Sequence, residues 1–395
     1  MESNEAVIVS AVRTAIGSFQ GALSGVAATK LGSIAIAEAL RRAKLSESDV
    51  DEVIMGNVLS AGLGQAPARQ AALGAGLPKT VGCLTVNKVC GSGLKAVMLA
   101  AQAIHLGEAA VVVAGGMESM TNAPYLLPKA RDGYRMGDGA LVDSMIKDGL
   151  WDVYNDFHMG AAAELCAKKF EISRKEQDHF AARSYRCAQI AQRNGDFARE
   201  IVPVVTATKN RREQVVEEDE EIAKFDFGKM KSLRPAFREE GTVTAGNASS
   251  ISDGAAALVV MSQRKASELG IRPLVRIKGW SSTAREPEWF TLAPSQAIAA
   301  LLKKCGARLV DVDLFEINEA FAASSLAVHR ELDLNPEKVN IRGGAIALGH
   351  PIGASGARIL TTLIHSLCDT GKRQGIAALC IGGGEAVAMM VEQAS

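Results

Sequence analysis

The chain has no excess charge of either sign: 44 Lys and Arg stand against 44 Asp and Glu in 395 residues. Nucleic-acid binders usually carry a basic excess, so no nucleic-acid partner is expected. It has no Cys-x-x-Cys pair, and its seven cysteines are an odd, irregularly spaced set. That disfavours a disulfide scaffold, a zinc site or a redox motif, and it suits free thiols in a reducing compartment. Met1-Glu2-Ser3-Asn4-Glu5 is acidic and runs straight into Ala6-Val7-Ile8-Val9, without an apolar signal or a basic transit segment. No stretch reads as long and apolar enough to span a bilayer. Gly62-Leu63-Gly64 and Gly74-Ala75-Gly76 lack the spacing of a dinucleotide loop. A soluble cytoplasmic protein is expected, with no membrane partner and no metal, and its length suits two or three domains with a well-buried core.

Two cysteines and one histidine stand out by context. Cys90 lies in Asn87-Lys88-Val89-Cys90-Gly91-Ser92-Gly93, followed at once by a helical pattern from Leu94 to Leu106. Cys380 lies in Ala377-Ala378-Leu379-Cys380-Ile381-Gly382-Gly383-Gly384, at the end of an apolar strand pattern. His350 sits in a glycine-rich loop, Gly349-His350-Pro351-Ile352-Gly353. Two thiols and an imidazole supply a nucleophile, a base and a second acid/base, which points to acyl transfer through a thioester. A thiol at a helix N-terminus is expected to favour the thiolate, below the usual value of about 8.5. For Cys90 and Cys380 the alternative is structural packing. The other helical-pattern histidines, His105, His179, His329 and His365, suit surface or core roles. Asn318, after the strand pattern Leu314-Ile317, either fixes a water or a carbonyl or caps a helix. Glycine-rich backbone beside Cys380 could form an oxyanion hole. Asn247-Ala248-Ser249 matches a glycan acceptor, which a cytoplasmic chain would not use.

The chain repeats itself. Leu40-Arg41-Arg42-Ala43 matches Leu302-Lys303-Lys304-Cys305, and Asp49-Val50-Asp51 matches Asp311-Val312-Asp313, at an offset of 302 − 40 = 262. Ser92-Gly93 matches Ser355-Gly356 at 355 − 92 = 263. Ala114-Gly115-Gly116 with Glu118 aligns with Ile381-Gly382-Gly383 with Glu385 at 381 − 114 = 267, which would place Cys380 in the slot of Val113. Alternating strands (from Ala6, Glu52, Ala110, Leu274, Leu314 and Ile376) and helices (Leu31-Ala43, Leu94-Leu106, Ser295-Lys304, Ala357-Cys368) predict an α/β fold with mixed, largely parallel sheets. The segment from about Ser119 to Ser249 has no counterpart and reads as an insertion over the core, with a charged helix at Ser173-Asn194. Its acidic run, Glu217 to Glu221, reads as a solvated loop.

Together with His158-Met159-Gly160 and Asn318-Glu319-Ala320-Phe321, these motifs resemble the thiolase family over nearly the whole chain, and within it the acetyl-CoA acetyltransferase, short-chain acetoacetyl-CoA group. The resemblance implies a duplicated fold in five layers, α-β-α-β-α, with an inserted loop domain that helps bind coenzyme A. Its boundaries would be 1–118 with 250–272 for the first half, 119–249 for the loop domain and 273–395 for the second half. It implies that Cys90 carries the acyl group, His350 activates it, Cys380 exchanges the α-proton of the second acyl-CoA, and Asn318 positions a water. The N–H groups of Cys90 and Gly382 would form an oxyanion hole. Leu150, His158, Met159, Phe237, Ala245, Ser249, Ala320 and Phe321 would line the pantetheine and acyl channel. The partners implied are acetyl-CoA, acetoacetyl-CoA and CoA, with no other cofactor, in a homotetramer built as a dimer of dimers. His158 before Met159-Gly160 is similar to the short-chain group. Phe290-Thr291-Leu292-Ala293-Pro294 is closer to mitochondrial-type short-chain members, which accept a 2-methyl branch. Ile222-Ala223-Lys224 does not match the tyrosine or arginine that members place there, so no monovalent cation or particular phosphate contact is inferred. The implied reaction is condensation of two acetyl-CoA and its reverse. Alternatives are a broader-range degradative 3-ketoacyl-CoA thiolase, a decarboxylating ketoacyl synthase, which the second cysteine disfavours, and a catalytically silent CoA carrier.

Overall fold

A computed structural model describes residues 4–207 and 213–394. The first half runs β1 (Ala6–Thr14), α1 (Ala28–Ala43), β2 (Glu52–Gly56), α2 (Pro67–Gly74), β3 (Gly82–Val86), α3 (Ser92–Leu106) and β4 (Val111–Ser119). The insertion then carries α4 (Met159–Lys169) and α5 (Arg174–Asn194), after which β5 (Ser252–Ser262) completes the half. The second half runs β6 (Val275–Ala284), α6 (Ala293–Cys305), β7 (Leu314–Ile317), α7 (Ala322–Leu332), α8 (Ala345–Leu348), α9 (Ile352–Thr370), β8 (Gln374–Ile381) and β9 (Glu385–Gln393).

The strands form one 11-stranded sheet in the order β7-β8-β9-β6-β1-β5-β4-β2-β3, with Ile201–Val202 beside β1 and Gly17–Ser18 beside β5. Only β2 with β3, β2 with β4, and β7 with β8 pair in parallel along this path; the other pairings are antiparallel. The expectation of largely parallel sheets is therefore corrected. It failed because β5 and β9 were not anticipated. Both are buried along almost their whole length, so neither shows the alternation that marks a half-buried strand. β9 follows β8 through a glycine turn in which Gly383 and Gly384 both hold φ +90, and it must return antiparallel.

The duplication is real, and the sheet register dates each match. Glu52 of β2 pairs with Val112 of β4, and Leu314 of β7 pairs with Gly375 of β8. The offset is 314 − 52 = 262 for the first pair of strands and 375 − 112 = 263 for the second. Cys380 therefore takes the place of Met117 (380 − 263 = 117), not of Val113, and the match at offset 267 was out of register. The halves even share a bulge: the register slips between Ile8 and Ser10 opposite β5, and between Ile277 and Gly279 opposite β9.

The core divides into layers around this sheet. One apolar cluster packs α1 and α2 on the outer face of the first half, and another packs α6 with Val328 of α7 on the outer face of the second. Between the halves, α3 and α9 share a third cluster with β1, β4, β5, β8 and β9. The expected five layers are present, but the two halves join edge to edge, since Val7 and Ile8 of β1 pair with Arg276 and Val275 of β6. Where α3 crosses α9, a Cβ on Gly93 would lie 2.7 Å from the Ala357 nitrogen, and one on Gly356 would lie 2.3 Å from the Leu94 nitrogen. The two contacts are equivalent across the duplication, and both positions need glycine. The central position also corrects the membrane reading. Val89–Leu106 has a mean hydropathy of 1.3 over 18 residues, enough in length and composition to cross a bilayer, but it is 61% buried inside the molecule.

The insertion packs α4 on α7 and α5 on α7 and α8. The charged helix starts one residue inside the expectation, with Ser173 and Glu176 forming a capping box. The acidic run is not simply a solvated loop. Asp219 is buried and accepts both terminal nitrogens of the buried Arg13 at 2.7 and 2.8 Å, while Arg13 Nε donates to Glu200 at 2.6 Å. Glu220 accepts from the Ser18 and Ala22 N–H groups, leaving only Glu217 and Glu218 exposed. Asp219→Ala would remove the two-pronged partner of a buried guanidinium and leave it Glu200 alone, so it should cost about 3 kcal/mol, whereas Glu218→Ala should cost less than about 0.5 kcal/mol. Denaturant unfolding of both variants checks this, and equal stabilities would contradict it.

Candidate active site

Cys90 sits on a tight connection between β3 and α3. Asn87 Oδ1 accepts from the Val89 N–H at 3.0 Å, the Lys88 N–H donates to Ser92 Oγ at 2.9 Å, and Ser92 Oγ donates to the Val89 carbonyl at 2.6 Å. These bonds hold Val89 at φ +45, an unfavourable conformation for a β-branched residue and one that clusters at functional sites. Gly91 lets β8 come close, since a Cβ there would lie 2.4 Å from Ile381 Cδ1. Cys380 thus ends β8 next to Cys90, and the N–H groups of Gly382 and of Cys90 itself point at the Cys90 sulfur.

The thiol is not the pre-formed thiolate that the helix N-terminus suggested. Burial pushes Cys90 up to about 11, outweighing the two N–H groups, and Glu118 adds to the rise. Burial and the neighbouring Cys90 push Cys380 up further. His350 moves the other way: burial and the Arg358 guanidinium lower it to about 3, so its imidazole is neutral at physiological pH. Its Nδ1 lies 2.6 Å from Ser355 Oγ, and that hydroxyl donates to the Pro351 carbonyl at 2.9 Å. With the hydroxyl proton placed there, Nδ1 carries the imidazole proton and Nε2 keeps a lone pair. The resting site is therefore a protonated thiol beside a neutral imidazole.

Asn318 does not cap a helix, because Phe321 is the N-cap of α7. Its N–H donates to the Ala378 carbonyl at 3.0 Å, and its side-chain nitrogen lies 3.5 Å from His350 Nε2. Its buried Oδ1 has no protein partner, which suits a group that holds a water. The sequence reading missed what supports it. Glu319 is buried and accepts from Ser184 Oγ at 2.6 Å and Asn340 Nδ2 at 2.8 Å, and Asn340 also donates to the Ile317 carbonyl.

One cavity of about 450 Å³ collects the remaining candidates. Its wall includes Cys90, His350, Cys380 and Gly382, together with Leu150, His158, Met159, Phe237, Ala245, Ser249, Ala320 and Phe321. Asn318 lies outside this wall, behind His350. The insertion supplies an aromatic side: His158 stacks on Phe237 at 4.8 Å between centroids, and Phe237 meets Phe321 edge-on at 6.1 Å. Gly160 makes room for this stack, because a Cβ there would lie 2.3 Å from the Phe237 ring. His158 Nδ1 accepts from the Gly160 N–H at 3.0 Å, and burial keeps the ring neutral by lowering its pKa. Ser249 donates through both N–H and Oγ to the Ala320 carbonyl at 3.0 Å, tying the insertion to the Asn318 turn. Buried Phe290 closes one end. Asn247 is fully buried and bonded to Asp178, which removes it as a glycan acceptor. Among the described residues no group of His, Cys, Asp or Glu could hold a metal ion.

The raised thiol has a direct consequence. Because its folded-state pKa lies above the free value, the thiolate fraction stays small at neutral pH and grows only as pH climbs toward 11. Iodoacetamide alkylation of Cys90 in the free protein should therefore still be rising at pH 9–10; a plateau reached below pH 8 would contradict the geometry.

Comparison with known proteins identifies the family. The model described as the N-terminal domain of thiolase matches residues 6–264, and that of the C-terminal domain matches 271–393. The chain is 56% identical over 387 residues to acetyl-CoA acetyltransferase 2 of Arabidopsis thaliana, covering 98% of this chain and 96% of that one. It is 53% identical over 388 residues to acetyl-CoA acetyltransferase of Escherichia coli, covering 98% of each. The crystal structure of the Bacillus anthracis acetyl-CoA acetyltransferase superposes with a TM-score of 0.97 at 44% identity, covering 99% of both chains. A glycine-framed pair of thiols, a neutral imidazole and a full-length match on both domains lead to one conclusion: this chain belongs to the thiolase family.

Proposed function

We propose that the chain performs acetyl-CoA C-acetyl transfer by a ping-pong route through acetyl-Cys90. The acyltransferase class follows from relatives above 50% identity over the full length, several named acetyl-CoA acetyltransferase and others probable acetyl-CoA acyltransferase. The observation that carries the mechanism is the convergence of the half-buried Cys90 thiol, the buried Cys380 thiol and one neutral imidazole on a single cavity. In the first half-reaction the Cys90 sulfur attacks the thioester carbon of acetyl-CoA while His350 Nε2 takes its proton. The backbone N–H groups of Cys90 and Gly382 stabilise the oxyanion. The carbon–sulfur bond to CoA breaks, and CoA leaves with the proton from His350.

In the second half-reaction a second acetyl-CoA binds with its carbonyl toward His350 and the water held by Asn318. His350 accepts the Cys380 proton, and the Cys380 thiolate removes a proton from the α-carbon. Burial that raises a thiol's pKa also makes its thiolate a stronger base, which suits a weakly acidic carbon. The new carbon–carbon bond forms as the Cys90–acetyl bond breaks, and His350 returns its proton to Cys90. The same steps in reverse cleave acetoacetyl-CoA with CoA.

The 119–249 segment serves in this reading as the loop domain that binds coenzyme A, supported by its contribution of Leu150, His158, Met159, Phe237 and Ala245 to the cavity. CoA thioesters are the substrates, with no further cofactor, metal, nucleic acid or membrane. A homotetramer fits the exposed apolar side chains of the excursion after β4, where Tyr125, Met136 and Leu141 are 65%, 94% and 66% exposed. The free thiols suit a cytoplasmic location.

Buried Phe290, Met159 and Phe321 close the acyl end, so acetoacetyl-CoA should be cleaved well and long chains poorly. A pocket that fitted longer chains would gain about 0.8 kcal/mol per buried CH₂, giving kcat/KM that rises with length. Overfilling a closed one costs roughly 1–3 kcal/mol. Thiolysis of C4, 2-methyl-C4, C8 and C16 3-ketoacyl-CoA should show a steep fall beyond the C4 pair. A profile flat or rising toward C16 would establish the degradative alternative instead.

A further inference from the structure

Beneath Cys90 lies a carboxylate that the mechanism does not use. Glu118, next to the last residue of β4, is fully buried. Its Oε1 accepts from Asn57 Nδ2 at 2.8 Å and from the Leu59 N–H at 3.2 Å. Its Oε2 accepts from the Val58 N–H at 3.0 Å and from the Gly353 N–H at 2.9 Å. All four partners are neutral N–H donors, and together they tie three segments to one side chain: the end of β4, the loop after β2, and the first turn of α9.

That first turn holds the base. Ser355, which fixes His350 Nδ1, donates to Pro351, and the Ala354 and Ser355 N–H groups also donate to the Pro351 carbonyl at 2.9 Å. Gly353 lies in the middle of this turn and can reach Glu118 only because it lacks a Cβ, which would sit 2.6 Å from Oε2. Its carbonyl is equally confined, since a Cβ on Gly116 would lie 2.1 Å from it and one on Gly56 2.7 Å. Ile352, beside Gly353, packs with Val58, Leu59, Met120 and Cys90. The carboxylate thus clamps the His350 turn to the strand ends that carry the Cys90 side of the pocket. The same network could have come from any buried structural glutamate, but this one also raises the Cys90 thiol through its charge.

We propose that Glu118 is a positioning residue for acetyl transfer, setting the His350 turn of α9 against Cys90. The proposal rests on the assignment of Cys90 and His350 above. In catalysis a displacement of about 1 Å can cost roughly 100-fold in rate, and loss of a carboxylate oxygen from four donors removes acceptors at the Gly353 and Val58 or the Leu59 and Asn57 side. Burial raises Glu118 itself to about 7, so its charge is complete only above that pH; the ionisable groups facing it are Asp253 on β5 and Cys90, and in the alkaline range where Cys90 titrates, removing that charge acts on the thiol directly.

The test uses the full-length protein with Glu118→Gln, Glu118→Asp and Asn57→Ala. Single-turnover acetylation of Cys90, CoA affinity and the pH profile of Cys90 alkylation are measured on each. Glu118→Gln should acetylate about 100-fold more slowly, with CoA affinity within twofold of the parent, and its alkylation profile should move to lower pH. Glu118→Asp keeps the charge and should leave that profile in place. Asn57→Ala keeps the carboxylate but drops one donor; it should slow acetylation more mildly, and it decides the matter if Glu118→Gln does not fold. Acetylation within twofold of the parent in the folded Gln variant, or in Asn57→Ala when that variant decides, would overturn the proposal. So would a loss shared equally by CoA affinity with the alkylation profile unmoved. Acetyl label outside Cys90 in the parent protein would instead overturn the underlying assignment, whatever the Glu118 variants do.

Discussion

The rest of the molecule depends on the crossing of α3 and α9. Backbone meets backbone at Gly93 against Ala357 and at Gly356 against Leu94, a contact that any side chain on either glycine would prevent. Both helices begin at the functional end of the sheet, one straight after Cys90-Gly91 and the other straight after His350-Pro351. Bringing the two helices to contact near their N-termini therefore brings Cys90 and His350 to one cavity. The duplication explains how a single chain achieves this: two copies of one strand–helix plan share a central layer, and each contributes its own helix start. Gly56 and Gly116 extend the same close approach to the strand ends, where the Gly353 carbonyl nests against both.

Burial then sets the chemistry. A site enclosed by two halves and an insertion has a low dielectric, and that disfavours every isolated charge. The thiols rise, the imidazole falls, and these three groups rest neutral. Catalysis by such a set relies on proton transfer coupled to attack rather than on a stored thiolate. The aromatic side built by His158, Phe237 and Phe321 belongs to the same logic, since it offers stacking and apolar contact to a thioester arm without adding a charge.

The sequence made the candidate catalytic residues legible because each stands at an unusual junction with glycine beside a strand or helix end. Cys90, His350 and Cys380 could be picked out for that reason, and the cavity residues followed from the family resemblance. Glu118, Ser355 and Asn340 could not. They stand in no motif of strand, glycine and helix, and their work appears only when distant segments meet. The misaligned repeat has a similar cause. Gly115-Gly116 and Gly382-Gly383 read alike, yet the first pair lies in β4, where close backbone approach excludes side chains, and the second lies in the hairpin turn after β8. Asp219 was hidden in a run of acidic letters; only the buried Arg13 opposite it separates a core ion pair from a solvated loop.

The most direct measurement is the site of acetylation. Purified protein is incubated with isotopically labelled acetyl-CoA alone, quenched in acid and mapped by peptide mass, with Cys380→Ser run in parallel. The account predicts one acetyl group on the peptide containing Cys90 in both proteins, and carbon–carbon bond formation reduced by about 10²–10⁴-fold in the variant. Label on Cys380 with none on Cys90, or condensation undiminished in Cys380→Ser, would contradict it.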